Sequence, residues 1–436
     1  MYHLSLPFFL LLTLLTQTHA QAILQNPLPP IKDPQGKTCI VHALGNQTDD
    51  APQILKAFET CNHGGIVVFP QDEVYWIATR LNPVVEDVEV RWRGVWVLSD
   101  DLDYWRTNSY PVTFQNHATN FILSGTRIAI NGYGTGGING NGNAWYDAEE
   151  AVTRVGRPMP FNLWNVSEVR VENFYIKDSP LWALNVMNGT NMHFENITCN
   201  STALRVPYGV NWVQNTDGFD TMDSHNISLL NFTYQGGDDC VAIKPRSHNI
   251  YIENVLCRGG NGIAIGSLGQ YKEDSSVTNT TIRNVRIERY NEDMHNAAYI
   301  KTWIGEEVLQ EGYESGGVPR GGGWGEVTNL LFENFLIHGS NAGPSITQSN
   351  GNNGSFAGTS KMQISNVTFR NFHGYTQGGR GNQTASVSCS KVHPCFGIAF
   401  EDVQLASAPN GSEIAPQGRC EYVATKGVVG LVGAGC

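Results

Sequence analysis

The chain has 436 residues, 41% of them hydrophobic, 10% aromatic and only 16% charged, with 47 glycines and a net charge of -12. Such a hydrophobic content rules out a disordered chain, and the negative balance argues against a surface built for nucleic acid or an anionic membrane. The glycines follow no Gly-X-Y period, which excludes collagen, and the length admits either several average domains or one elongated one.

An apolar run from Leu4 to Leu15, followed by Thr18, His19 and Ala20, reads as a secretory signal peptide over residues 1–20, so the mature chain is expected to begin near Gln21. Later segments lack the apolar length of a membrane helix. Residues 21–65 read as an N-terminal capping segment holding one helix, Ala51 to Thr60, and residues 66–436 as a single body ending in a disulfide-closed tail. Secretion is also suggested by Asn-X-Ser/Thr acceptor sites for glycosylation at Asn46, Asn165, Asn188, Asn196, Asn200, Asn226, Asn231, Asn279, Asn353, Asn366, Asn382 and Asn410. Cysteines fall in close neighbours with no metal-type Cys-X-X-Cys, so the expected disulfides are Cys39 with Cys61, Cys240 with Cys257, Cys389 with Cys395 and Cys420 with Cys436, leaving Cys199 as a buried thiol.

Short alternating strands recur along the body, opening at Asn165, Asn191, Asn226, Asn249, Thr281, Val327 and Ile364, usually with an asparagine inside them. No amphipathic helix of useful length separates them. A repeat of twenty-odd residues made of strands and turns is the signature of a solenoid, and the expected fold is all-β: a single right-handed parallel β-helix. An antiparallel sandwich would instead show hairpin turns every eight to twelve residues. Tight corners in stacked coils also account for the glycine and asparagine content.

In such a helix, residues one coil apart lie about 4.8 Å above one another. Asp217, Asp239 and Asn261 are spaced by 22 and 22 residues, so they are expected in one column, with Asp238 beside it and glycine corners at 236–237 and 259–260. Close carboxylates raise one another's pKa, so a proton is shared in mild acid. An acid facing carboxylates that hold water can cleave a glycosidic bond with inversion, the two groups standing roughly 6.5–9.5 Å apart. A calcium site or a solvated acidic ladder are the other uses of such a cluster, but EF-hand and nonapeptide patterns are missing, so no metal or other cofactor is expected.

The residues from Asn215 to Asp220, the Gly237-Asp238-Asp239-Cys240 stretch, the run from Gly259 to Gly269 and the stretch from Tyr299 to Trp303 resemble, in order, the four motifs of glycoside hydrolase family 28, the polygalacturonase family. An upstream stretch, Gly134 through Gly142 to Trp145, is similar to that family's glycine-rich segment. The resemblance implies a pectin-lyase-like solenoid and a pectic polysaccharide or oligosaccharide as substrate. It makes Asp238 the general acid, Asp217 and Asp239 the pair that activates water, and Lys301 the cation for a substrate carboxylate.

Two departures set this chain apart. The usual Gly-His-Gly is Gly260-Asn261-Gly262, which replaces a titrating side chain by one that only hydrogen-bonds. The usual Arg-Ile-Lys is Tyr299-Ile300-Lys301, which removes a bidentate clamp and offers an aromatic face to a sugar. Asn261 and Tyr299 thus join Lys301 as candidate substrate contacts, and the pattern suggests an exo-acting or rhamnogalacturonan-directed branch. The leading expectation is a secreted, monomeric, inverting exo-polygalacturonase that releases terminal galacturonate and binds neither nucleic acid nor membrane. The alternatives are rhamnose release, a calcium-dependent lyase and a non-catalytic carbohydrate-binding solenoid. Insertions between Tyr271 and Val277 and between Gly305 and Gly325 are expected to close one end of the cleft. Asp220 is left between fixing the turn after Gly218 and direct catalysis, His295 is read as structural, Lys244 and Arg246 as compensating the acidic column, and the Gly-X-Gly-X-X-Gly match at 132–137 as accidental.

Overall fold

The computed structural model describes residues 36–290, 295–352, 354–377 and 383–436. The signal-peptide reading, the first part of the capping segment and the acceptor sites Asn353 and Asn382 lie outside the described residues.

Among the described residues, twenty-four strands form one continuous sheet wound as a right-handed parallel β-helix, and every registered pairing within it is parallel. Long strands such as Phe161–Lys177, Leu184–Asn200, Trp324–Ser340 and Lys361–Thr376 carry the repeats. They bend where asparagine takes up left-handed backbone, as at Asn165, Asn173, Asn188 and Asn196. Asparagine tolerates this conformation better than other side chains because its amide can bond locally. Inward-facing residues stack on their equivalents one coil away: Phe335 lies parallel over Phe372 with ring centroids 4.4 Å apart, and Phe332 over Phe369 at 5.0 Å.

The outer bends build two asparagine ladders. In the longer one, the Nδ2 of Asn173, Asn196, Asn231, Asn254, Asn284, Asn334 and Asn371 each donates to the Oδ1 of the preceding rung, starting from Asn131, at 2.7–3.2 Å. The second runs from Asn191 through Asn226, Asn249 and Asn279 to Asn329.

The expected helix is present as Ala51–Thr60, with Ala51, Ile54, Ala57 and Phe58 buried on one face. It shields the first coil, where Phe58 packs 6.4 Å from Phe69, and so does the job of a cap that keeps an open core from water. The strand Thr38–Ile40 already pairs with Ile66–Val68, so stacking begins inside the segment expected to be only a cap. The chain also has two further short helices, Leu102–Asn108 and Asn143–Glu149, where one was expected. Asp101 starts the first by accepting the Tyr104 N–H at 2.9 Å. A separate small sheet of Tyr110–Val112, His117–Thr119 and Pro158–Met159 lies apart from the solenoid sheet.

Four disulfides join Cys39–Cys61, Cys240–Cys257, Cys389–Cys395 and Cys420–Cys436, and Cys199 is a buried free thiol. Cys240–Cys257 ties consecutive coils inside the core, and Cys420–Cys436 closes the last strands. Among the described residues no helix is long and apolar enough to cross a membrane.

Candidate active site

One stack of short strands carries the acidic residues: Phe219–Met222, Asp239–Ile243, Gly262–Leu268 and Ala298–Trp303. Alternation sends Phe219, Val241, Ile263 and Ile300 into the core and their neighbours out to the opposite face. Phe219 pairs with Val241, which keeps the 22-residue offset between Asp217 and Asp239. The next interval departs from the expected column. Asp239 pairs with Gly262 and Val241 with Ile263, an irregularity that inserts one extra residue at Cys240. Asn261 therefore sits over Asp238 and not over Asp239.

The column is Asn215, Asp238, Asn261, spaced by 23 and 23 residues. Asp238 accepts from both neighbours: the Asn215 N–H at 3.1 Å and Nδ2 at 3.3 Å on one oxygen, Asn261 Nδ2 at 3.0 Å on the other. The backbone around it is held by Tyr234, whose hydroxyl donates to the Asp238 carbonyl at 3.0 Å and accepts its N–H at 3.1 Å. Glycine is required at Gly260, where φ is +65 and an added Cβ would collide with the Asp238 carbonyl.

Oxygens of Asp217, Asp238 and Asp239 converge within 4.8 Å of one another. That is tighter than the separation of about 6.5–9.5 Å common among inverting glycosidases. Asp239 has a partner on each oxygen: the Tyr299 hydroxyl on Oδ1, and the Lys301 ammonium on Oδ2 at 2.8 Å. Lys301 also donates to the Tyr299 hydroxyl at 3.0 Å. Tyr299 is only 6% exposed and packs on Ala242 and Ala264, so it presents its hydroxyl to a carboxylate and not an open aromatic face to a sugar. The two alanines leave the room its ring occupies.

On the other side, Lys244 is buried 3.4 Å from Asp217 and 3.6 Å from Asp220, with its ammonium 3.9 Å from the centre of the Trp182 ring. Lys244 thus compensates the acidic column. Arg246 does not: it is turned away onto Asp223 and Glu273. Asp220 is as deeply buried as Asp217 and belongs to the same charged cluster. His295 touches the corner through its backbone N–H, 3.2 Å from the Gly260 carbonyl.

The titration of the cluster follows from this packing. Asp217 is raised well above the ordinary carboxylate range, by burial first and then by Asp220 and Asp238, against Lys244. Burial pushes Asp220 up to about 7, again against Lys244. Asp238 is raised by burial and by Asp239, with Lys301 opposing. Burial works against the charges of Lys244 and Lys301, but the surrounding aspartates outweigh it and keep both firmly protonated.

No local spacing or motif points to the groups that cover this face from distant segments. His117 from the small sheet packs edge-on against Trp182 with ring centroids 4.4 Å apart, and burial, then Lys244 and Arg320, lower its pKa to about 3. Tyr313 and Arg320 arrive from the insertion between Gly305 and Gly325. The insertion is tied across by Asn116, whose Nδ2 donates to the Tyr313 carbonyl at 2.8 Å. The shorter insertion joins them through the Tyr271 hydroxyl, which accepts the Gln115 N–H at 2.9 Å.

Residues 79–428 match the family model of glycosyl hydrolases family 28. The chain belongs to this family. It is 61% identical over 395 residues to an Aspergillus niger protein provisionally named galacturan 1,4-alpha-galacturonidase C, covering 91% of this chain and 93% of that one. It is 33% identical over 410 residues to an exopolygalacturonase of Cochliobolus carbonum, covering 91% and 89%. Among solved structures, an endo-xylogalacturonan hydrolase from Aspergillus tubingensis superposes with a TM-score of 0.74 at 24% identity over 91% of this chain and 99% of that one. A hyperthermoactive exopolygalacturonase from Thermotoga maritima does so with 0.66 at 17% identity over 96% of each. Both family members share the parallel β-helix.

Proposed function

We propose that this family 28 glycoside hydrolase removes single galacturonate units from the non-reducing end of polygalacturonate and its oligomers, outside the cell. The observation that carries the chemistry is the clamp on Asp238, a carboxyl group with raised pKa held between two side-chain amides and facing Asp239, whose charge is met by Lys301.

In this reading Asp238 gives its proton to the glycosidic oxygen as the bond to the anomeric carbon breaks. Asp217 and Asp239 hold the water that attacks the same carbon from the opposite face, and its proton passes to a carboxylate of this pair. Lys301, 18% exposed by its side chain, is the nearest cation to offer a substrate carboxylate as well. Exo action is supported by the insertion carrying Tyr313 and Arg320, which bridges to the segment 110–117 and closes one side of the face, and by the names of the relatives at 61% and 33% identity.

Secretion and glycosylation accord with the four disulfides, which an oxidising compartment sustains. Incubation with an α-1,4-linked galacturonate hexamer should yield galacturonate and a pentamer as the first products, the nascent sugar appearing as the β-anomer by NMR. Dimers or trimers at the outset would overturn exo action, a nascent α-anomer would overturn single displacement, and rhamnose released from rhamnogalacturonan with no cleavage of the hexamer would overturn the substrate.

A further inference from the structure

A cavity of about 590 Å³ lies on the same outer sheet face, next to the acidic cluster. Its lining follows from the strand register. Met222 and Arg246 stand two residues beyond Asp220 and Lys244 along the chain, a step of roughly 6–7 Å in extended backbone. Trp164 and Met187 are register partners on neighbouring coils. Phe114 forms part of the partition: its ring lies 6.4 Å from Trp182, which carries the Lys244 ammonium, and 5.6 Å from Tyr271, which faces the cavity. The insertion that closes the catalytic side supplies the remaining wall with Glu314, Ser315 and Val318.

The charges here are arranged unlike those around Asp239. Three carboxylates, Asp223, Glu273 and Glu314, line the cavity against one cation, Arg246. Arg246 is already committed to protein acceptors: its Nε and Nη2 are on Asp223, and its Nη1 is on the Asp274 carbonyl at 2.8 Å and near Glu273 at 3.4 Å. Glu314 is met from behind by Arg320 at 3.0 Å, so a uronate entering this space would meet net negative charge and cations already paired with carboxylates. The apolar surface of Trp164, Met187, Met222, Phe114 and Tyr271 suits the CH face of a pyranose, and Asn116, Asn188 and Thr113 suit its hydroxyl groups. The volume exceeds that of one sugar ring.

We infer that this cavity is a binding site for a neutral sugar unit carried by a pectic substrate, distinct from the uronate bound over the carboxylates. The inference rests on the pectic reading above but not on which end of the chain is cut. Calorimetric titration of the whole enzyme with methyl β-xylopyranoside, methyl α-L-rhamnopyranoside and methyl α-galacturonoside tests it, using Asp238→Asn so that nothing is hydrolysed. At least one neutral glycoside should bind at millimolar concentration, and Trp164→Ala in that background should weaken it at least tenfold. In the otherwise native enzyme, Trp164→Ala should leave turnover of unbranched oligogalacturonate unchanged. A second change, Val318→Lys at the exposed rim, should improve galacturonoside binding by adding the missing cation. Failure of every neutral glycoside to bind, binding indifferent to Trp164→Ala, or a galacturonoside that binds this site as well as the neutral sugars would overturn the inference. A failed exo assay with intact, Trp164-dependent glycoside binding would count against the proposed reaction only.

Discussion

The longer asparagine ladder and the acidic column use the same coil-to-coil stacking and reach opposite ends. In the ladder each rung is an amide, with a donor for the coil before it and an acceptor for the coil after, so the stack satisfies itself from Asn131 to Asn371. The column Asn215, Asp238, Asn261, in which we propose Asp238 as the acid, is the same device with the middle rung changed to a carboxylate. A carboxylate can only accept, so both neighbouring amides must point inward at it, and its proton becomes the one movable element of the stack. Beside it Asp217 and Asp220 share a buried lysine, and three of their four carboxylate oxygens have no hydrogen-bond partner in the protein. One stack maximises satisfaction and the other holds charge in a poised state, which is the stability–function trade seen at many active sites.

Turning the catalytic rung back into a ladder rung breaks the contrast most severely. Asp238→Asn should lower kcat at least a thousandfold, by loss of the transferable proton, while raising the melting temperature because an amide removes a buried ionisable group. Full retention of kcat would assign the acid elsewhere.

The next largest effect is that of pH. Asp217, Asp220 and Asp238 are each raised in the folded state, chiefly by burial. A carboxyl raised above its unfolded value favours the fold at low pH, fully so below about 4, and withdraws that contribution as pH climbs through its folded value, about 7 for Asp220. Melting temperature should therefore fall between pH 5 and 8, and Asp220→Asn should flatten that fall. Hydrolysis should share the acid side and decline toward pH 7. A melting temperature that rises over this interval would contradict the burial account.

A milder change removes one clamp. Asn261→Ala leaves one Asp238 oxygen with the Asp239 N–H alone, at 2.9 Å, and should cost about tenfold in kcat with KM little altered, together with a shift of the alkaline limb of the rate profile. Least consequential for catalysis is a rung of the ladder itself. Asn254→Ala breaks the bonds to Asn231 and Asn284 and leaves φ 60 without the amide that makes it tolerable, which should cost about 2 kcal/mol in denaturant unfolding and leave kcat as it was.

The solenoid could be read from the recurrence of short strands with an internal asparagine, because a stack obliges every coil to repeat the same turn chemistry. The acidic cluster followed from spacing for Asp217 and Asp239, where the count runs through regular strand. It slipped by one at Asn261, since the bulge at Cys240 adds a residue that spacing cannot distinguish from an ordinary turn residue. Tyr299 was visible as an aromatic in place of arginine, but the side to which its hydroxyl turns depends on Ala242 and Ala264 beneath it. His117 left no trace, because its place beside Trp182 comes from a segment more than a hundred residues before Lys244 folded over the face.

The ladders also bear on the glycosylation sites. Asn188, Asn196, Asn226, Asn231 and Asn279 each lend Nδ2 to the coil below, and Nδ2 is the atom an oligosaccharide would take. A glycan on any of these asparagines would have to share that nitrogen with the coil contact, so a coil that closes first should disfavour attachment. Asn46 and Asn410 lie exposed outside either stack, free of that constraint. Mass spectrometry of the chain expressed in a glycosylating host should find them more fully occupied than the five bonded asparagines, so the glycan map would serve as a fossil record of how early each coil was wound.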